Sequence, residues 1–324
     1  MALTTVVLLG AGLAAGSDGW SLPRLMQTWN SQDGGLIIGS IRAPRTLGAW
    51  LTGALLGLAG ATAQGLFRNP LADPYLLGSA SGASLGVVLV LTASALGGAE
   101  PSLASAGPLL RLGLASAAFI GALLGVLLAL TLAQGAQQTT RLLLAGVVVG
   151  VVLGAASDLV TSAAPDALRA KQAFMLGSTS FLGWSSCAAL AAGLALTLPP
   201  CLFLARTLDA LVLGPDTALS LGLHLPPIRL ALITAMALAT GLAVSQAGLI
   251  AFVGLVAPHL VRRFAPAAHR FNLAASAAAG GTLLLLADVL ARSLIAPEEI
   301  PVGVLTALLG GGYLIWLLHK GQSS

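Results

Sequence analysis

Charge is what this sequence has least of. Asp, Glu, Lys and Arg make up 8% of its 324 residues, while 57% are hydrophobic. A soluble domain carries about 25% charged residues. So little charge cannot cover a water-facing surface, and the chain reads as a membrane protein. Cysteine is nearly missing: Cys187 and Cys201 are the two present. Both lie in one apolar segment, which suits packed free thiols and gives no disulfide framework. The histidines, His224, His259, His269 and His319, are scattered without metal-ligand spacing. The net charge is +4, with no dense Lys/Arg run to track nucleic acid. No G-x-x-x-x-G-K-[ST] occurs, so the chain has no phosphate-binding loop with which to hydrolyse ATP. No segment alternates with period two, which disfavours a barrel.

What the chain has in quantity is apolar helix-length segments and glycine, 40 residues of it. Small residues suit close contacts between transmembrane helices. Ten candidate segments are bounded by charge, Pro or Gly: 2–16, 46–66, 75–97, 109–133, 142–161, 185–205, 230–247, 249–262, 272–291 and 303–318. The expected fold is an all-α polytopic bundle forming a single domain over 1–324. The first segment also has the small residues of a signal peptide but lacks a basic leader, so a short first helix is favoured. The seventh and eighth segments are joined by SQAGLI, so one of them is expected to be short or bent. An even count puts both termini on one side. Lys and Arg divide eight to seven between the two sides, so the positive-inside rule does not orient the chain.

Several polar residues stand out against this background. Arg42 and Arg45, in IRAPRTL, sit at the mouth of the second segment, and Arg292, in ADVLARSL, ends the ninth. They read either as headgroup anchors or as a docking site for an acidic partner. Asp288 precedes Arg292 by four residues, the favourable order for a helical pair. Asp158, near the end of the fifth segment, has no local basic partner. Intramembrane acids raise the question of a proton relay, but both lie near an interface, where a structural role is favoured. FRNPLADPYLLG (67–78) places two prolines around Asn69 and Asp73, which ends one helix and turns the chain. GLAGATAQGL (57–66) echoes GLAVSQAGL (241–249) in segments that cross in opposite directions, as in the inverted repeats of transporters.

The motifs then become specific. IRAPRTLGAWLTGALLGLAGATAQGLFRNPLADPYLLGSASGASLG (41–86) resembles the FecCD family of ABC-importer permeases. So do TTRLLLAGVVVG (139–150), FMLGSTSFLGW (174–184), AGLIAFVGLVAPHLVRR (247–263), AHRF (268–271), LLLADVLAR (284–292) and EEIPVGVLTALLGGGYLIWLL (298–318). The resemblance runs in order through nearly the whole chain after residue 40. It implies a BtuC-like (type II importer) permease fold with ten transmembrane helices, in the bacterial inner membrane, with both termini cytoplasmic. It implies a homodimer around a central path, two copies of a cytoplasmic ABC ATPase below and a periplasmic substrate-binding protein above. The chain itself would bind no cofactor and would not be an enzyme, ATP and Mg being held by the ATPase.

Residue roles follow from the same resemblance. Arg42, Arg45 and Arg292 match family positions that grip acidic residues of the binding protein, for which the planar guanidinium fork is suited. Within 206–229, LGPDTALSLGL matches the coupling segment that enters a groove of the ATPase, giving Leu213, Gly214, Asp216, Ala218, Leu221 and Gly222. The family often has an acid directly after the first LG; here Pro215 stands there and Asp216 follows. Asn69 and Leu71, with Thr139 and Thr140, match the cytoplasmic gate. The cargo is expected to be a metal chelate, a B12-type corrinoid or ferric siderophore ahead of haem. The competing readings are a proton-driven secondary transporter using Asp158 or Asp288, and an intramembrane enzyme. The second lacks a metal cluster, and Ser79, Ser81 and Ser84 have no base at a fixed offset.

Overall fold

A computed structural model of the chain describes residues 2–16, 19–20, 34–96, 108–164 and 166–321. Residue 97, which closes the third expected segment, lies outside them. The order of elements is α1 (Ala2–Ala14), α2 (Gly34–Phe67), a 3-10 turn (Pro74–Leu77), α3 (Ser79–Leu96), α4 (Pro108–Leu132) and α5 (Thr139–Ala163). Then come α6 (Asp166–Leu176), α7 (Trp184–Phe203), α8 (Ala205–Val212), α9 (Pro215–Ser220), α10 (Leu225–Ala247), α11 (Val253–Phe264), α12 (His269–Ser293) and α13 (Val302–Gly321). A two-residue ladder pairs Ala15–Gly16 with Gly19–Trp20. Each of the ten expected segments falls on a helix, and six of these helices are long and apolar enough to cross a membrane. The eighth segment is the short one: α11 has 12 residues, about 18 Å at 1.5 Å per residue, against about 30 Å of hydrocarbon.

The bundle is organised around α2. Its apolar window is 89% buried within the protein, because α12, α10, α11 and α7 all pack on it. Small residues make this possible. A Cβ added at Gly53 would lie 2.3 Å from the Gly280 carbonyl oxygen, and one at Gly57 2.2 Å from that of Ser276. The α2 and α12 backbones therefore touch along this seam, the arrangement that small residues spaced by four permit. The two helices run antiparallel. Arg45 of α2 meets Asp288 of α12 at one end, and Gly65 meets His269 at the other.

Two features went unforeseen. The stretch leading into FMLGSTSFLGW, with its first three residues, forms helix α6, whose Ala167, Ala170 and Phe174 pack on Ala83, Val87 and Leu91 of α3. Asp158, which has no basic partner close to it in sequence, pairs with Lys171 of this helix. The reason is geometric: α6 folds back beside α5 and brings the lysine within reach. The segment after α2 also turns back into the bundle. Pro74 packs at Gly254, and the Tyr75 hydroxyl donates to the Ile250 carbonyl at 3.2 Å.

Candidate functional site

The Arg45 end carries a network of buried charge. Asp288 is fully buried. Its Oδ1 accepts from Arg45 Nε at 3.2 Å and from the Thr179 hydroxyl at 2.6 Å, and its Oδ2 pairs with Arg292. Arg45 then presents the two nitrogens of its fork to Glu299, Nη1 to Oε1 at 2.7 Å and Nη2 to Oε2 at 2.9 Å, while the Ser180 hydroxyl donates to the same Oε2 at 2.8 Å. The two cations and two anions balance. A buried charge is tolerable only when paired and hydrogen-bonded in this way. Glu299 lies in the connection to α13. Burial raises its pKa, but the hydrogen bonds and charge of Arg45 outweigh that and leave it below its usual value.

The same arginines close α1. A helix leaves its last carbonyls without partners. Arg292 Nη1 donates to Gly12 O at 3.1 Å and Ala15 O at 3.3 Å, and Arg42 Nη1 donates to Leu13 O at 3.1 Å. Arg42 is delivered by a π-helical turn, Ile37–Arg42, at the head of α2. The resemblance assigns all three arginines to docking of the binding protein. Arg45 and Arg292 are 9% and 3% exposed and turned inward. Buried Asp288 and the α1 carbonyls draw them in, because among the described residues no other cation pairs with that acid. Arg42 stays half-buried.

At the opposite end lies the 206–229 segment, which folds as α8, α9 and the first turn of α10. Leu208, Leu211 and Ala218 are buried, whereas Val212, Leu213, Leu219 and Leu221 are exposed at the tip. Gly214 and Gly222 make the bends at φ +109° and +79°, values that glycine adopts at little steric cost. Asp216 sits in the first turn of α9. Asp209 of α8 is bonded to the head of α12: its Oδ1 accepts the His269 backbone N–H at 3.0 Å and lies 2.7 Å from His269 Nδ1. The sequence reading missed this pair, although AHRF was among its motifs, because nothing local connects residues 60 positions apart.

Asn69 and Leu71 lie at this same end. Arg68 ends α2 in the left-handed region, φ +49°, and the Asn69 side-chain oxygen accepts the Leu71 N–H at 2.9 Å. Leu71 is 55% exposed. Asp73 caps the following turn by accepting the Tyr75 N–H at 2.8 Å; burial pushes its carboxyl up to about 6 against the lowering effect of that bond. Thr139 and Thr140 open α5. The 3-10 turn runs along α5, with the Leu76 carbonyl against Gly146. Among the described residues the Asn69–Leu71 and Thr139–Thr140 pairs are not hydrogen-bonded to each other. The described residues hold no His/Cys/Asp/Glu group fit for a metal ion.

Residues 3–320 match the FecCD transport family. The hemin transport system permease protein HmuU of Yersinia pestis is 41% identical over 286 residues, which is 87% of this chain and 82% of that protein. The vitamin B12 import system permease protein BtuC of Escherichia coli is 37% identical over 324 residues, 99% of this chain and 94% of that protein. A solved inward-facing structure of a metal-chelate type ABC transporter superposes with a TM-score of 0.86 at 27% identity, covering 98% of this chain and 97% of that one. The long apolar helices, their packing on α2 and this end-to-end similarity lead to one conclusion: the chain is a multi-pass transmembrane permease of the FecCD transport family.

Proposed function

We propose that this chain is the membrane subunit of an ATP-driven importer, which passes a metal chelate along the two-fold axis of a homodimer. The observation that carries the reading is the α8–α9 unit. It exposes Val212, Leu213, Leu219 and Leu221 at 62%, 68%, 53% and 62% on a tip whose other face is fixed to the bundle. An apolar patch of this kind outside the bundle fits a groove on a partner. Since the chain has no phosphate-binding loop, that partner is an ABC ATPase, two copies per dimer, holding ATP and Mg. The Asp209 end and both termini then face the cytoplasm, and the Arg45 end faces the periplasm.

The remaining roles follow from the same frame. Leu144, Val147, Val148, Val151, Val152 and Leu159 leave one face of α5 bare, which suits the dimer axis. Asn69 and Leu71, with Thr139 and Thr140, close the inner end of the path, two copies facing each other. A periplasmic binding protein docks at the Arg45 end. Its carboxylates meet Arg42 directly and reach the Arg45 fork by displacing Glu299. The cargo is haem or a corrinoid, as the names of the relatives support, ahead of a ferric siderophore. For a proton-driven carrier the described residues offer little, since Asp158 and Asp288 are both neutralised by cations.

Co-purification tests the ATPase reading. The co-expressed ATPase should be retained by the native chain and by Asp216→Asn, and lost from a Leu213→Asp, Leu219→Asp double variant with unchanged thermal stability. Retention by the double variant would remove the coupling assignment.

A further inference from the structure

A cavity of about 440 Å³ opens at the Arg45 end between the first turns of α4 and α7, in front of the last turn of α10. Both α4 and α7 pack on α10, through Phe119 at Gly241 and Leu242 at Gly193. They part towards this end, and α6 closes the back with Ala173 and Phe174. Its walls are of two kinds. Val87, Leu112, Leu114 and Phe174 are apolar, whereas Ser178, Ser185 and Ser186 supply hydroxyls; the Ser245 hydroxyl donates to the Leu242 carbonyl and accepts from the Gln246 amide. Arg111 stands at the mouth with its guanidinium 5.2 Å above the Phe181 ring. It has no carboxylate partner among the described residues, unlike Arg45 and Arg292.

We infer that this cavity binds the phosphate headgroup of an anionic phospholipid. An uncompensated guanidinium beside hydroxyl groups attracts a phosphate oxygen, and its stacking on Phe181 holds it in place. The N-terminal residue preceding α7, Gly183, offers no side chain to cap that helix, so the N–H groups of its first turn add positive potential to the same cavity. The rim indicates a lipid and not a soluble anion. Leu112 of the lining is 66% exposed, and Leu109 and Trp184, in the same first turns of α4 and α7, are 84% and 54% exposed, apolar and aromatic side chains suited to the membrane interface. The volume lies within the range of ligand sites, about 300–1,000 Å³. Occupancy also bears on the buried network, because Ser178 and Phe181 flank Thr179 and Ser180, the residues bonded to Asp288 and Glu299.

Native mass spectrometry of the purified chain, titrated separately with phosphatidylglycerol, phosphatidylcholine and inorganic phosphate, tests the site. Phosphatidylglycerol should bind the native chain and Arg111→Lys alike, and bind Arg111→Gln about fivefold more weakly. Ala189→Leu, which fills the cavity without touching the charge, should lose the same adduct. Phosphatidylcholine should bind more weakly than phosphatidylglycerol to the native chain and show no loss on Arg111→Gln. Equal phosphatidylglycerol binding by the native chain, Arg111→Gln and Ala189→Leu would overturn the inference. Displacement of the lipid by inorganic phosphate would give the cavity to a soluble anion and overturn it equally.

Discussion

Asp288→Asn keeps an acceptor for Thr179 but leaves Arg292 buried without a paired carboxylate and Arg45 with Glu299 alone. Removing one partner of a buried pair costs about 3–5 kcal/mol, so this variant should melt well below the native protein. Glu299→Gln should cost less, about 1 kcal/mol, since its side chain is 33% exposed and partly screened. The loss should follow pH. Glu299 has its folded pKa below the usual 4.5, so its stabilisation is complete above that value and disappears as pH falls through the folded one. The melting difference between native and Glu299→Gln proteins should therefore be full at about pH 7 and shrink below about pH 4. Asp73 behaves in the opposite sense. Its pKa is raised to about 6, so ionising it costs stability as pH rises through that region. Asp73→Asn keeps the bond from Tyr75 and should be more stable than the native chain at about pH 8, with the gain gone at about pH 4. The Asp288–Arg292 pair was legible in sequence because a helix brings positions four apart together. Arg45 with Glu299 was not, because the two are 254 positions apart and only the fold brings them to one place.

Among the elements, α2 and α12 form the pair that spans the molecule. Gly57→Ala puts a Cβ 2.2 Å from the Ser276 carbonyl, and the helices must move apart. Overpacking of this kind costs about 1–3 kcal/mol, readable as a lowered melting temperature in detergent, whereas Gly312→Ala, with open space around it, should change nothing. Helix positions were legible because apolar runs bounded by Pro and Gly must cross the bilayer. Helix α6 was hidden by its own charges, Asp166, Arg169 and Lys171, which break the apolar run. The signal that would have found it is the helical spacing of Ala167, Ala170 and Phe174. The inward turn of the arginines was hidden for another reason: a side chain's direction depends on what its neighbours leave unpaired.

At the scale of the whole molecule, α12 links the two ends. Its head is bonded to the α8–α9 unit through Asp209 and His269, and its tail holds Asp288 and Arg292 in the buried network. Because α12 is packed against α2 along this length, the proposed coupling predicts that a push at the α8–α9 unit travels along α12 to the opposite face. On the proposed function, docking at that face also separates by residue. Arg42→Glu should weaken association with the binding protein, most at low salt, with little change in melting temperature, whereas Arg45→Glu should unfold the network itself. The most direct test of the account is the ratio of chelate imported to ATP hydrolysed, in proteoliposomes holding the permease, its ATPase and the loaded binding protein. The native chain should import only with ATP, and Asp209→Ala should hydrolyse ATP while importing about tenfold less, the loss expected from about 1.4 kcal/mol of coupling. Import without the ATPase, or an undiminished ratio in Asp209→Ala, would contradict it.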